Sequence, residues 1–343
     1  MPRMSRLSDV PLSVLELAPV TSQTDARTAL RHTTELAQHV ERLGYTRFWL
    51  AEHHNMPGIA SSSPAIVIGH VASATKTLRV GSGGVMLPNH PPLVVAEQFG
   101  TLVALHPDRI DLGIGRAPGT DQRTAQALRR TAGPLSVDDF PQQLTELMGY
   151  FEGTEELHAV PAQGNKPPLW LLGSSGYSAQ VAGLLGLPFA FAHHFSAENT
   201  LPALRLYRER FQPSAVLDKP YAMVCVSVIV ADTDEHARWI AGPGALSFVR
   251  LRSGRPGPLS TPQEAADYPY TDLDRLIFEE RMANQVIGSP ETAKEQLEQL
   301  LADTAADELM VTTMVADQSD RLRSYELLAA LHSPDRVKTE VEV

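Results

Sequence analysis

The chain has 343 residues, 43% of them hydrophobic and 20% charged, and a formal net charge of −11. That balance suits a folded soluble protein with a large core, and it offers no general field for nucleic acid or an anionic membrane. The single cysteine, Cys225, excludes an intramolecular disulfide and a CxxC zinc site, and no stretch reaches the length of a membrane span, so a reducing, cytoplasmic setting is the expectation.

In chain order, two periodicities alternate. PLSVLELAPV (11–20) is a short apolar run. In the segment after it Leu36, Ala37, Val40 and Leu43 fall on one helical face and Gly44 ends the helix. YTRFWLAEHH reads as a strand, and SPAIVIGHVASATKT as a helix with Ser63 as cap and Pro64 at its first position. The strand LRVGSGGVML, the helix PPLVVAEQFGTLVALHP and the strand RIDLGIG follow. Beyond a looser stretch come PPLWLLGSS, YSAQVAGLLG, PFAFAHHF, ENTLPALRLYRERF and the longest strand, KPYAMVCVSVIVAD, where Cys225 is expected to be a buried structural thiol. Residues 232–287 break the rhythm with a Pro/Gly-rich loop between helical pieces, a candidate cover for a pocket. The helix SPETAKEQLEQLLADT, the strand ELMVTTMVA and the helix SDRLRSYELLAALH close the chain.

The strands are apolar runs rather than alternating ones, as parallel strands covered on both faces require. Eight of them, nearly all followed by a helix, predict a single (β/α)8 barrel (a TIM barrel) over 1–343 with an insertion near 232–287. An open doubly wound sheet fits less well, because no GxGxxG follows the first strand.

In such a barrel chemistry sits at the C-terminal strand ends. The second strand ends in Glu52-His53-His54, the third carries Gly83-Gly84 and then Asn89-His90, and the fourth runs into Gly115-Arg116. The fifth ends in Gly173-Ser174-Ser175 and the sixth in His193-His194. Hydroxyls and N–H groups at the start of a helix, with Arg116 as counter-charge, suit a phosphate, although a capped helix behind a tight turn is the plainer alternative. Glycines inside a strand allow a flat group to approach the backbone, or mark a bulge. His53 and His54 are adjacent on the strand pattern, so one faces the barrel mouth. His53 beside Glu52 fits acid/base or cofactor-contact work, with Glu52 orienting the ring; a metal bound with His90, His193 or His194 is the alternative.

Together these segments resemble the luciferase-like flavin-dependent monooxygenases. The resemblance rests on YTRFWLAEHHNMPG, ATKTLRVGSGGVMLPNHPP, HPDRIDLGIGRAPGTD, PLWLLGSSGYSAQVAGLLGLPFAFAHHF and IGSPETAKEQLEQLLADTAADELMVTTM, and covers most of 11–332. It implies that Glu52 lies against a flavin and that His53 is a catalytic base. It further implies that a cis peptide at Gly83-Gly84 supports the flavin ring, and that Arg116, Gly173, Ser174, Ser175 and Ser178 hold its phosphate. The cofactor implied is reduced FMN from a separate flavin reductase, used with molecular oxygen on a small organic substrate, with no metal; a homodimer is also implied. Two departures stand out: bacterial luciferase has a cysteine where this chain has Gly115, and a glutamate where it has Ser174. A deazaflavin-dependent hydride-transfer oxidoreductase and a non-catalytic flavin-binding protein are the competing readings.

Overall fold

The computed structural model describes residues 6–117, 119–128 and 139–332. Its strands are β1 (Leu12–Glu16), β2 (Arg47–Leu50), β3 (Arg79–Met86), β4 (Ile110–Gly115), β5 (Leu169–Gly173), β6 (Phe189–Ala192), β7 (Ala222–Val230), β8 (Val286–Gly288) and β9 (Glu308–Thr312). All pair in parallel; β1 to β7 follow in order, β7 pairs with β9, and β9 returns to β1. Eight strands therefore close a parallel barrel with helices between them, as the apolar runs predict. Every residue of β1, β4, β7 and β9 is buried, the signature of strands covered on both faces.

The ninth strand, β8, is a correction to the expected eight. It lies at the end of the predicted insertion and pairs with Val228–Val230 of β7, beyond the point where β9 stops pairing at Ser227. Its three residues are too few to stand out beside the polar helix before them.

The helices are α1 (Ala26–Arg42), α2 (Pro64–Ala74), α3 (Pro92–Leu105), α4 (Gln122–Leu128), α5 (Phe140–Glu152), α6 (Gly176–Leu185), α7 (Thr200–Arg210), α8 (Asp234–Arg252), α9 (Pro262–Ala266), α10 (Asp272–Ala283), α11 (Pro290–Thr304) and α12 (Gln318–His332). Helix α1 buries Leu36, Ala37 and Val40 as its periodicity demands, and the chain turns at Gly44, whose φ of 83° favours glycine. Ser63 precedes α2 as expected, but its side chain makes no capping bond, so Pro64 alone marks that start. Helix α5 occupies part of the stretch read as loose, burying Phe140, Leu144, Leu147 and Phe151 on one face.

Two apolar layers hold the barrel. The outer one joins strand residues such as Phe48, Leu112, Phe189 and Val311 to the helices, and the inner one fills the lumen with Leu15, Trp49, Trp170, Met223, Cys225 and Met310. Trp49 and Trp170 meet edge to face at 5.2 Å, and burial pushes the Cys225 thiol well above its ordinary range. The N-terminal end is closed by charge. Arg47 bonds both Asp111 (2.7 Å) and Glu308 (3.0 Å), and Tyr221 (2.9 Å) and Trp49 (3.1 Å) also donate to this buried carboxylate pair. These residues stand at strand starts, so the pairing fixes strand register at the face where barrels hold stability rather than chemistry.

Helices α8, α9 and α10 form the insertion between β7 and β8. Capping boxes at Thr261 and Thr271 start α9 and α10, and Leu246, Val249 and Ala265 form a small core with Tyr268, Tyr270, Ile277 and Phe278. Its loop is tied to the barrel mouth: Leu259 donates its N–H to the Val20 carbonyl (2.8 Å) and accepts from Ser22 N–H (2.8 Å). A Cβ added to Gly58 would lie 2.5 Å from the Gly257 carbonyl oxygen, so the β2–α2 loop meets the insertion backbone directly.

Candidate functional site

Strand β2 stops at Leu50, and the chain enters the mouth as a loop held by Ser61 Oγ on the Ala51 carbonyl (2.5 Å) and His53 N–H on the Ser61 carbonyl (2.9 Å). Glu52, His53 and His54 therefore do not alternate across a strand as the sequence pattern implies. Glu52 is buried, and four donors converge on its carboxylate: Met86 N–H (3.0 Å), Asn89 Nδ2 (3.1 Å), His54 Nε2 (2.9 Å) and His90 Nε2 (2.8 Å). Burial pushes this carboxyl up, but the His90 hydrogen bond and charge, the Met86 N–H and His54 outweigh it and hold it below its ordinary value.

This corrects the expectation that Glu52 orients His53. The partners of Glu52 are His54 and His90, and His53 instead places Nδ1 at 3.2 Å from the Gly119 carbonyl. A carbonyl only accepts, so Nδ1 carries the proton and Nε2 keeps its lone pair. Burial lowers the His53 pKa, outweighing the Gly119 bond, so the ring is neutral and basic at Nε2.

His53 lines a cavity of ≈ 170 Å³ with Leu17, Met56, Phe248 and Arg281, and His194 joins it from the end of β6. His194 directs Nδ1 at the Cys225 carbonyl (3.2 Å), and burial, reinforced by the nearby Arg281 charge, drives its pKa down to about 4. Two neutral imidazoles thus face one mostly apolar chamber. His193 diverges from its neighbour, pairing with Thr200 Oγ1 at 2.8 Å. A more open cleft of ≈ 690 Å³, lined by residues of α8, α10 and α11, contains none of Glu52, His53 and Arg116.

Among the described residues the metal alternative finds only a partial set. Ligand atoms of Glu52, His54 and His90 lie within 4.8 Å of one another, but both imidazole Nε2 atoms stand at hydrogen-bond distance from the carboxylate, which engages them as donors. His53, His193 and His194 are committed elsewhere.

The third and fifth strands supply the rest. The Gly83–Gly84 peptide is cis, as the resemblance implies. A Cβ on Gly84 would stand 2.3 Å from Leu172 Cδ1 and 2.6 Å from the Gly113 oxygen, and one on Gly115 would meet Met86 at 2.6 Å, so small residues are required there by crowding. Gly173 admits Ser178, whose Cβ would lie 2.7 Å from an added methyl. Ser174 and Ser175 lead into α6, and Ser175 makes no side-chain cap bond. Arg116 lies over the Tyr177 ring at 4.1 Å, and among the described residues it has no carboxylate partner in ion-pair range. Arg116, Ser174, Ser175 and Ser178 are thus gathered about the start of α6. Neither Tyr177 nor Arg281 stands out in the sequence, although Tyr177 lies only two residues after Ser175.

A guanidinium without a carboxylate partner among the described residues, at a helix start that carries serine hydroxyls, is suited to a phosphate, and a tightly packed glycine strand admits a flat ring near the backbone. The residues present fit an FMN-like group.

Comparisons with known proteins agree with this architecture. A model of the family described as luciferase-like monooxygenase matches residues 11–308. The chain is 50% identical over 325 residues to the YvbT protein of Bacillus subtilis (strain 168), covering 94% of this chain and 96% of that one. It is 47% identical over 321 residues to a luciferase-like monooxygenase of Escherichia coli (strain K12), covering 93% and 96%. The solved structure of apo-MsnO8 matches with a TM-score of 0.86 at 38% identity, covering 95% of this chain and 98% of that one. Two more distant structures share the fold alone. One is the oxygenating constituent of 3,6-diketocamphane monooxygenase in complex with FMN (TM-score 0.69, 19% identity, 95% and 98% covered), the other an F420-dependent secondary alcohol dehydrogenase (TM-score 0.68, 13% identity, 94% and 99% covered). By the match along most of its length and by its identity to these relatives, the chain belongs to the luciferase-like monooxygenase family.

Proposed function

We propose that this protein is a flavin-dependent monooxygenase that receives reduced FMN from a separate reductase and uses molecular oxygen to oxidise a small organic substrate. The observation that carries the reading is Arg116: a guanidinium stacked on Tyr177 at the start of α6, with no acidic partner among the described residues. Arg116, Ser174, Ser175 and Ser178 would hold the FMN phosphate, and the strand at Gly83–Gly84 would admit its flat ring. When bound, the reduced flavin supplies the electrons that activate oxygen.

The remaining roles belong to the chain's own groups. Glu52 and its four donors fix the β2 and β3 loops against each other at the barrel mouth. His53, held by the Gly119 carbonyl, accepts a proton at Nε2 within the cavity. The apolar walls and the insertion loop exclude water from the reacting atoms.

Anaerobic titration with reduced FMN, followed by mixing with oxygenated buffer, tests this. Saturable binding, reoxidation slower than that of free flavin, and roughly tenfold weaker binding by Arg116→Ala are expected. Failure to bind reduced FMN would move the hydride-transfer reading, with a reduced deazaflavin, into first place.

A further inference from the structure

The cavity contains one cation that nothing among the described residues neutralises. Arg281 lies near the end of α10, in the insertion, and its guanidinium reaches the chamber shared by His53 and His194. One arm is spoken for: Nη1 donates to the His194 carbonyl. The guanidinium carbon lies 5.0 Å from the Phe248 ring centroid. Its Nε is buried and has no hydrogen-bond partner. No carboxylate stands in ion-pair range of it among the described residues. The titratable groups sharing its chamber are His194 and His53, both neutral at pH 7, and the charged group on the same Phe248 ring is another cation, Arg252, so the described residues supply no counter-charge.

Burial lowers the Arg281 pKa to about 10, which leaves it protonated at neutral pH. A half-buried cation without a counter-charge is costly, and a buried N–H without an acceptor adds to that cost. A strut between α10 and β6 would need only the Nη1 bond, and the orphaned Nε lies outside that role. The walls around it are apolar: Leu17, Met56, Ile59, Phe248, Leu259 and Met314. The chamber, at ≈ 170 Å³, is of the order of the roughly 150 Å³ engineered cavity that accepts benzene.

We propose that Arg281 is the substrate-recognition residue of this cavity, and that the substrate is an organic acid. Its carboxylate binds the guanidinium where Arg281 lines the chamber, and its apolar body, of about the bulk of a benzene ring or a six-carbon chain, lies against the surrounding side chains toward His53. The assignment rests on the flavin-monooxygenase reading, in which this chamber is the substrate half of the site.

The test uses pairs of probes with one shape and two charges: hexanoate against hexanamide, and phenylacetate against phenylacetamide. Ligand-observed NMR titration at pH 7.5 gives the affinities, for the wild-type protein and for Arg281→Met and Arg281→Lys. Wild type is expected to bind each acid at least about tenfold more tightly than its amide. Arg281→Met loses that preference while keeping its affinity for the amides, and Arg281→Lys keeps part of it. Equal binding of acid and amide by wild type overturns the proposal without any variant. An unchanged preference in a folded Arg281→Met overturns it as well.

Reduced-FMN titration of the same samples separates the two readings. Normal FMN binding with no acid preference refutes the Arg281 assignment alone. Absent FMN binding in wild type refutes the flavin reading. Loss of FMN affinity in Arg281→Met, with the acid preference intact, assigns the guanidinium to the flavin instead.

Discussion

Replacing Glu52 by glutamine leaves the shape of the side chain and removes its charge. In the native site Oε1 accepts from Asn89, His54 and His90, and Oε2 accepts from the Met86 N–H. The glutamine carbonyl can take the first three, but its NH2 then faces the Met86 donor. A buried donor left without an acceptor costs about 1–3 kcal/mol, and each charge-assisted bond reduced to a neutral one loses roughly 1 kcal/mol. Allowing for non-additivity within one network, the loss is about 4 kcal/mol. At about 2.1 cal/mol/K of unfolding entropy per residue, that lowers Tm by roughly 6 °C. The assay is urea unfolding and thermal melting of both proteins at pH 7 and at lower pH. The native carboxyl lies below its ordinary value of 4.5, so its contribution is complete above that value and is lost as pH falls through the lowered one. The gap between wild type and Glu52→Gln must therefore narrow below about pH 4.5. A gap under about 1 kcal/mol at pH 7 would refute the claim that four donors are committed to this carboxylate.

Two further outcomes are expected. His194 is held down to about 4 against an ordinary 6.5, so the unfolded chain takes its proton first; stability is complete above 6.5 and falls between there and about 4. That amounts to about 2 kcal/mol between pH 7 and pH 5, and urea midpoints of His194→Gln should show a pH slope flatter by this amount. Gly84→Ala places a methyl 2.6 Å from the Gly113 carbonyl, a backbone atom that cannot rotate away, and should cost roughly 2 kcal/mol in urea unfolding. An unchanged midpoint would mean that β3 and β4 have room to part there.

The barrel was legible because its strands are buried on both faces, and apolar runs such as AMVCVSVIV register that directly. The strand ends were legible for the same reason: once the strands are placed, polar residues such as Glu52 and Arg116 stand out at their C-terminal ends. Two elements escaped for physical reasons. β8 is three residues long and takes its identity from pairing with Val228–Val230, a contact that no local pattern announces. α5 carries a helical face, but a window centred on the loose stretch dilutes it. The partnership of Glu52 is not legible locally, because adjacency along the chain is not adjacency in space. His90, 38 residues away, reaches the carboxylate, and Gly119, 66 residues away from His53, supplies that ring's anchor. Arg281 sits in an ordinary charged helix sequence, DLDRLIFEERMA, where nothing separates a solvated arginine from a half-buried one.

The cavity wall has two sources with different histories open to them. His53 and His194 stand on strand-end loops whose backbones are tied into the barrel, whereas Phe248, Leu251 and Arg281 stand on helices that leave after β7 and return at β8. Both the departure and the return are pinned to β7, through its own length and through the Val228–Val230 pairing. Drift in the excursion can therefore reshape what the chamber admits while the strand ends stay in register. Divergence of one such scaffold toward many substrates then needs no change in the face that carries Arg116 and Gly83–Gly84.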